Sequence, residues 1–95
     1  MKGYVVCVYK NITNEEKLKE YAVKARMAVE KHKGKFLIRG GKTTTNEGEA
    51  SPRTVVIEFP SYDEANKFYN SKEYQEAHTI LKGYVVRHHQ TVQGA

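Results

Sequence analysis

The stretch GYVVCVY, residues Gly3–Tyr9, is the most informative part of the sequence for the fold. Valine and tyrosine favour β-strands, and turn residues follow at positions 11–14, so we predict a strand here. Successive side chains of a strand point to opposite faces. Both faces of this strand are apolar, with Tyr4, Val6 and Val8 on one and Val5, Cys7 and Tyr9 on the other. Because such a strand is covered on both faces, Gly3–Tyr9 is predicted to be central in a sheet.

Outward from this strand, residue patterns predict three more strands and two helical regions. A capping box at 13–16, with Thr13 as N-cap, opens the first helix, and Gly34 ends it. A second capping box at 61–64 opens the second region, which breaks at Asn70-Ser71 and restarts with Ser71 as N-cap. The predicted strands are Gly3–Tyr9, Phe36–Arg39, Thr54–Phe59 and Tyr84–Val92, and the last helical segment is Lys72–Leu81.

This order, β-α-β-β-α-β, is the split βαβ arrangement of ferredoxin-like α+β folds. Residues 1–95 suit a single domain. Two right-handed crossovers put both helical regions on one face of a four-stranded antiparallel sheet with the strand order 4-1-3-2. The other face is also apolar, yet the chain has no element left to cover it. We therefore expect a second copy of the chain to cover it, sheet against sheet, in a twofold homodimer.

The composition fits a soluble globular protein, since 39% of the residues are apolar and 28% are charged. No apolar run approaches the roughly 20 residues of a membrane span, and we find no secretory signal before the first strand. We therefore expect a cytoplasmic protein with no membrane partner. The net charge is +5, but glutamates interrupt the lysines of the first helix. This pattern favours a solvated helix face over a nucleic-acid surface.

Nucleic-acid binding is considered because RNA-recognition motifs share this topology. Their third strand carries a basic-glycine-aromatic pattern whose rings stack on bases. The corresponding segment, Arg53–Phe59, has neither the glycines nor the aromatic platform, and Glu58 would repel phosphate. Nucleic acid therefore stays a minor alternative that we do not expect.

Arg39 and Glu58 are a base and an acid that the predicted strand register brings together. The register directs Phe36, Ile38, Val55, Ile57 and Phe59 toward the helices, and Leu37, Arg39, Val56 and Glu58 to the other side. Two interpretations stay open. The two residues form a structural ion pair at the dimer interface, or they belong to a pocket in which Arg39 holds an anionic group and Glu58 transfers a proton.

A histidine of the last strand is a second candidate for moving a proton. His88 and His89 are adjacent, so they point to opposite faces and only one of them shares a face with Glu58. The sequence does not say which one does; we take Glu58 and His88 as the catalytic candidates. No acid or cysteine at useful spacing completes a ligand set with the histidines, so we expect no metal site. Cys7 has no identifiable partner base and is expected to be an inert buried thiol.

The break between the two later helices is another place where a ligand could bind. Tyr69 and Tyr74 flank it, and tyrosines there can bury their rings while their hydroxyl groups reach a ligand. Tyr69, Ser71 and Tyr74 are therefore candidate ligand-binding residues, together with Arg39 as the one that binds the anion.

Several segments together resemble the domain-of-unknown-function 1330 family. They are GKFLIRGG at 34–41, Glu47-Gly48, VVIEFPS at 55–61 and FYNSKEY at 68–74. That family belongs to the dimeric α/β-barrel superfamily, so the resemblance implies a ferredoxin-like protomer and a homodimer whose sheets pack face to face. It implies no settled activity. Relatives in the superfamily include cofactor-independent monooxygenases, lactone isomerases and small-ligand-binding modules, with pockets between sheet and helices.

The sequence differs from the family pattern at three places. Thr13-Asn14 stands where the family has Asp-Pro, Lys72 where it has a proline, and Lys82 is the residue nearest to a late helical arginine. The last difference weakens any claim that an anion is held there. We expect a homodimer that binds a small, possibly anionic organic molecule without a cofactor. The alternative is a cofactor-independent monooxygenase- or isomerase-like enzyme in which Arg39 orients the substrate.

Overall fold

A computed structural model describes every residue of the chain, Met1–Ala95. It contains four strands and three helices, in the predicted order and with the second helical region divided as predicted. They are β1 (Gly3–Ile12), α1 (Glu15–Lys31), β2 (Lys35–Arg39), β3 (Arg53–Phe59), α2 (Tyr62–Asn70), α3 (Lys72–Leu81) and β4 (Val85–Gln93). None of the three helices combines the length and apolar character needed to cross a membrane.

The four strands form one antiparallel sheet in the order β2-β3-β1-β4, which confirms the predicted topology. β1 is a central strand, as its two apolar faces predicted. Along β1 the burial alternates, so Val5, Cys7 and Tyr9 are buried beneath the helices while Val6 and Val8 are only half-buried. The sheet therefore has a helix-covered face and a face that no element of the chain covers.

The core lies between the sheet and the helices. One cluster joins Val5, Ile57 and Phe59 of the sheet to Ala28 and Phe68 of the helices, among ten buried residues. Aromatic rings fill its centre, since the Phe68 ring lies 4.9 Å from that of Phe59 and 4.7 Å from that of Tyr74. A smaller cluster under α1 and α3 consists of Cys7, Tyr9, Leu18 and Leu81.

The start of α1 differs from the prediction by one residue. Asn14, not Thr13, is the N-cap, and its side-chain oxygen accepts the N–H of Lys17 at 3.0 Å. β1 continues through Ile12, and the Thr13 hydroxyl donates to the backbone oxygen of Tyr84 at 2.9 Å. Thr13 therefore ties the end of β1 to the start of β4 and is not free to cap the helix. The predicted caps Ser61 and Ser71 are confirmed, each accepting a backbone N–H three residues on.

The end of α1 also has a different cause from the one predicted. Lys33, not Gly34, adopts the left-handed conformation, with φ of 62°. Gly34 is needed for packing instead, because a Cβ at this position would lie 2.7 Å from the side chains of Phe59 and Val29. The glycine thus allows the chain to leave the helix close to the core.

A β-bulge in β2 overturns the predicted direction of Arg39. Phe36 pairs with Ile57 whereas Ile38 pairs with Val56, so Leu37 is an extra residue in the strand. Beyond a bulge the alternation of side chains is reversed. Ile38 therefore faces the uncovered side and Arg39 faces the helices, the opposite of what an uninterrupted period of two predicts.

We call the uncovered side of the sheet the open face. Its apolar residues are Tyr4, Val6, Val8, Ile38, Val56 and Val92, and its polar residues include Glu58, His88 and Gln90. Ile38 is 48% exposed and Val92 is 41% exposed. A second apolar face is therefore present, as predicted, with no other part of the chain against it, although Ile38 on this face was predicted to point toward the helices.

Candidate functional site

A narrow cavity lies between the sheet and α1; we call it the sheet–helix cavity. Its volume is about 40 Å³, which is room for about three water molecules. Its walls are mostly apolar, and three arginines also line it: Arg39 from β2, Arg53 from β3 and Arg87 from β4. A ligand of more than a few heavy atoms has to widen the cavity or extend through its mouth.

Arg87 is the cavity-lining arginine with the most hydrogen bonds. It pairs with Tyr9 across β1 and β4, so its side chain points toward the helices. Its Nη1 group donates to the hydroxyl groups of Tyr9 at 3.1 Å and Tyr21 at 3.2 Å. Its Nη2 group donates to the hydroxyl group of Tyr74 at 2.7 Å. We call these four residues the Arg87 cluster; it joins the sheet to α1 and α3.

The Arg87 cluster carries a positive charge that nothing in the protein neutralises. Burial opposes the charge, but the pKa of Arg87 is raised above the already high arginine value, so it stays a cation. Burial raises the pKa of Tyr9 to about 12, and it raises the pKa of Tyr21 and of Tyr74 as well. The phenols are therefore neutral at ordinary pH. No carboxylate lines the cavity.

The Arg87 cluster has hydrogen-bond donors that an anion could accept. The Tyr9 hydroxyl accepts from Arg87 and still has its own hydrogen to donate. The hydroxyl groups of Tyr21 and Tyr74 share a hydrogen bond of 2.8 Å, which leaves one further O–H free. The Nε–H of Arg87 has no acceptor in the protein. The cluster thus offers several donors and a positive charge, which is what an oxyanion requires.

His89, and not His88, is the histidine on the helix-covered face. It pairs with Cys7, and its ring lies 5.0 Å from the ring of Tyr69 and 5.9 Å from that of Tyr74. Burial lowers the pKa of His89 to about 3, and the positive charge of Arg87 contributes to this shift. His89 is therefore a neutral imidazole at the edge of the sheet–helix cavity.

The two catalytic candidates, Glu58 and His88, lie on the open face and away from the cavity. Glu58 pairs with Tyr4 and His88 with Val8, so they are about 13 Å apart along β1 at ~3.3 Å per residue. Glu58 accepts a hydrogen bond from the Tyr4 hydroxyl at 3.4 Å, and Lys2 Nζ lies 3.9 Å from it. The prediction that Glu58 and Arg39 share a face is wrong, because the bulge turns Arg39 to the other side.

The four ligand-binding candidates lie on the helix-covered side, but each makes different contacts. Tyr74 belongs to the Arg87 cluster, and Arg39 lines the cavity with its guanidinium 4.3 Å from the Phe36 ring. Tyr69 packs against His89 and lines a shallow groove between α2 and β4. The Ser71 hydroxyl donates to a backbone oxygen at 2.7 Å and caps α3, so it is engaged in structure. Their roles toward a ligand stay predictions.

Arg53 and Arg87 are the site residues that the sequence did not single out. A signal for Arg87 existed: Tyr9, Tyr21 and Tyr74 all occupy core-facing positions, and buried tyrosine hydroxyls need a polar partner. A basic residue on the last strand could have been sought for that role. Its face could not be assigned, since β4 has no apolar alternation after Val86. No three His, Cys, Asp or Glu side chains lie close enough to hold a metal ion.

Fold and site together define a ferredoxin-like α+β protein with a cationic cavity between its sheet and its helices. The chain belongs to the family described as Domain of unknown function (DUF1330), which it matches over residues 2–95. This confirms the resemblance seen in the sequence. No curated protein matches the chain.

Several solved structures share the fold. A protein of unknown function from Rhodopseudomonas palustris has a TM-score of 0.78 and 14% identity, over 99% of this chain and 82% of that one. A dimeric protein of unknown function with a ferredoxin-like fold from Bacteroides fragilis has a TM-score of 0.58 and 18% identity, over 98% and 96%. A Caulobacter crescentus protein, provisionally named an antibiotic biosynthesis monooxygenase, has a TM-score of 0.64 and 10% identity, over 99% and 89%. At these identities the likeness extends to the fold alone.

Proposed function

We propose that the protein is a homodimer in which each protomer binds a small anionic organic molecule in the sheet–helix cavity. One observation carries the proposal: the Arg87 guanidinium lies among neutral phenols and has no carboxylate partner. Removing a cation from water without a counter-ion is costly, on the order of several kcal/mol. A ligand anion would supply the missing counter-charge.

The donors of the Arg87 cluster support a carboxylate or a similar oxyanion as the bound group. The free Nε–H of Arg87 and the O–H of Tyr9 can both donate to it, and bonds from a charged donor are roughly twice as strong as neutral ones. The small volume of the cavity favours a compact molecule. Its apolar walls, such as Val5, Val55 and Ala25, suit a short hydrocarbon portion.

The open face supports the homodimer. It carries a row of apolar side chains that includes Val6, Val8 and Val56, and nothing in the protomer covers them. Its acid, Glu58, already has Tyr4 and Lys2 as partners, so burying this face would not leave a carboxylate unpaired. The Bacteroides fragilis protein of the same fold is described as dimeric. A second copy of this chain fits these requirements, because it brings the same apolar face.

A cofactor-independent oxygenase or isomerase is the second candidate function, favoured by His89. His89 is the one neutral base among the residues lining the cavity, and the same fold occurs in a protein provisionally named a monooxygenase. Proton removal from a bound substrate would leave a carbanion that Arg87 stabilises. A substrate anion on Arg87 would cancel part of the charge that depresses the pKa of His89, and so make it a stronger base.

The binding proposal is tested by a thermal-shift screen of small carboxylates, sulfonates and phosphate esters, with calorimetry on the hits. Arg87→Gln should weaken binding of every hit at least about tenfold, because it removes the charge that the anion needs. Arg26→Gln is the matched control: Arg26 is an exposed arginine on α1 that pairs with Glu30. Hits that bind Arg87→Gln and wild type equally, with a normal circular dichroism spectrum, would refute the proposal.

The oxygenase alternative is tested with the hits that bind. Dioxygen consumption is measured with each of them, for wild type and for His89→Gln. Consumption that depends on His89 would make the protein an enzyme. Binding without dioxygen consumption would count against the oxygenase.

A further inference from the structure

We infer that the ligand carries two oxyanion groups, one bound by Arg87 and the other by Arg53; this inference rests on the proposed function. Arg53 is a second guanidinium that lines the sheet–helix cavity. Three observations indicate that Arg53 is a second anion-binding position. It lies beside Arg87, it has no partner in the protein, and the local chain holds it in place.

The strand register sets the two arginines on either side of one residue. Tyr9 of β1 pairs with Arg53 of β3 on one side and with Arg87 of β4 on the other. The two arginines therefore share a row and a face of the sheet, with their Cα atoms about 10 Å apart, two strand spacings of ~4.8 Å. Their guanidinium carbons lie 6.0 Å and 5.5 Å from the centre of the Tyr9 ring.

The Arg53 guanidinium has no partner in the protein. Its Nε–H is shielded from solvent and has no acceptor, and none of the ion pairs of the chain includes Arg53 or Arg87. A buried donor without an acceptor is unfavourable and uncommon in folded proteins. An oxyanion that enters the cavity would provide both an acceptor and a counter-charge.

The local chain holds Arg53 in place beside Tyr9. The Ser51 hydroxyl donates to the backbone oxygen of Tyr9 at 2.6 Å and also contacts the backbone of Arg53. Gly40 has a positive φ of 70°, and a Cβ at that position would collide with the Arg53 guanidinium. The glycine at the end of β2 thus leaves space for this side chain, and its presence there has a packing reason beyond the turn itself.

Arg87 and Arg53, two cations on either side of Tyr9, favour a molecule with two acidic groups. A monoanion on Arg87 leaves the Arg53 charge uncompensated, whereas a dianion neutralises both. Between the arginines the surface is the Tyr9 ring with Cys7 and Val55, which suits a short chain of carbon atoms. Dicarboxylates and phosphorylated carboxylates share this chemistry, and the experiment separates them.

The test is isothermal titration calorimetry with glutarate, valerate and phosphoglycolate. Glutarate and valerate have the same number of carbon atoms, but glutarate has a second carboxylate. Wild type should bind glutarate about tenfold or more tightly than valerate, since a second charge-assisted contact is made. Comparison of glutarate with phosphoglycolate shows whether the second group is a carboxylate or a phosphate.

The variants separate this inference from the proposed function. Arg53→Gln should lower glutarate affinity to about the valerate level and leave valerate affinity unchanged, whereas Arg87→Gln should weaken both. Arg53→Lys, which keeps the charge and the fold, should give an intermediate glutarate affinity. An unchanged glutarate-to-valerate ratio in Arg53→Gln would overturn the inference and leave the proposed function standing. Binding of none of the three compounds to wild type would count against both.

Discussion

The charged side chains on the two faces of the sheet differ in whether they have partners of opposite charge. On the open face, Glu58 has Tyr4 and Lys2 beside it, so its charge has partners within the protomer. On the helix-covered face, Arg87 has phenols, the Cys7 thiol and the neutral His89 near it, and Arg53 lies beside the Tyr9 ring, with no carboxylate lining the cavity. The face with satisfied charges can be buried against a second copy, and the face with unsatisfied charges can bind a ligand. This difference is the basis of our proposal that the open face forms the dimer and the helix-covered face binds the ligand.

The largest effect is expected from placing a charge on one face or the other. Val5 is 1% exposed beneath the helices, and its neighbour Val6 lies on the open face. Val5→Asp buries an unpaired carboxylate and should cost more than about 4 kcal/mol, a large fraction of the roughly 5–15 kcal/mol of a typical domain, so the melting temperature should fall steeply. Val6→Asp should leave the protomer folded and dissociate the dimer. Circular dichroism and light scattering after size-exclusion chromatography measure both effects.

Each variant has one result that would contradict this difference between the two faces. A folded Val5→Asp with a normal melting temperature would mean that the assigned strand register is wrong. A dimeric Val6→Asp would mean that the dimer forms through another surface.

The pH dependence of stability should distinguish the two adjacent histidines. The pKa of His89 falls from 6.5 to about 3 on folding. Between these values the unfolded chain binds a proton that the folded protein does not, so stability decreases as pH falls through this window. One such proton contributes a slope of about 1.4 kcal/mol per pH unit. His89→Gln should remove this part of the slope, and His88→Gln, on the open face, should keep it.

Urea unfolding at several pH values between 7 and 4 provides the measurement. Burial also lowers the pKa of His78, so His78 should contribute to the slope in wild type and in both variants. Some slope should therefore remain in His89→Gln. Equal slopes for His88→Gln and His89→Gln would contradict the lowered pKa of His89 in the folded protein.

The smallest effect is expected from single hydroxyl groups. Tyr74→Phe removes the acceptor of the 2.7 Å bond from Arg87 and should destabilise the protein by about 1 kcal/mol. It should also weaken anion binding, because Arg87 becomes less firmly held. Tyr62→Phe is the matched control, since Tyr62 is 41% exposed and should change stability by less than about 0.5 kcal/mol. Equal unfolding free energies for the two variants would contradict the role given to the Arg87 cluster.

The fold was predictable because it depends on periodic features of the sequence. The two apolar faces of Gly3–Tyr9 indicated a central strand, and the serine caps at Ser61 and Ser71 divided the second helical region correctly. The first helix cap was missed by one residue, because Thr13 and Asn14 are both good caps and a contact with distant β4 decides between them. Such a contact is invisible to local pattern reasoning.

The candidate site was less predictable because it depends on register. One inserted residue, Leu37, moved Arg39 to the opposite face and separated it from Glu58. The face of Arg87 depends on how β4 pairs with β1, and the polar run after Val86 contains no apolar alternation that would indicate it. Anion binding was predicted from the sequence for Arg39, whereas the proposal made from the structure assigns it to Arg87, and both stay predictions.

The most direct test of the account follows the arginine Nε–Hε signals by nuclear magnetic resonance during a titration with glutarate. The signals are assigned with Arg→Lys variants, and Arg26 on the outer surface of α1 provides the reference. We predict that the Arg87 signal shifts furthest, that the Arg53 signal shifts along the same titration curve, and that the Arg26 signal does not move. Binding that leaves the Arg87 signal unchanged would contradict the central claim that this partly buried guanidinium holds the ligand.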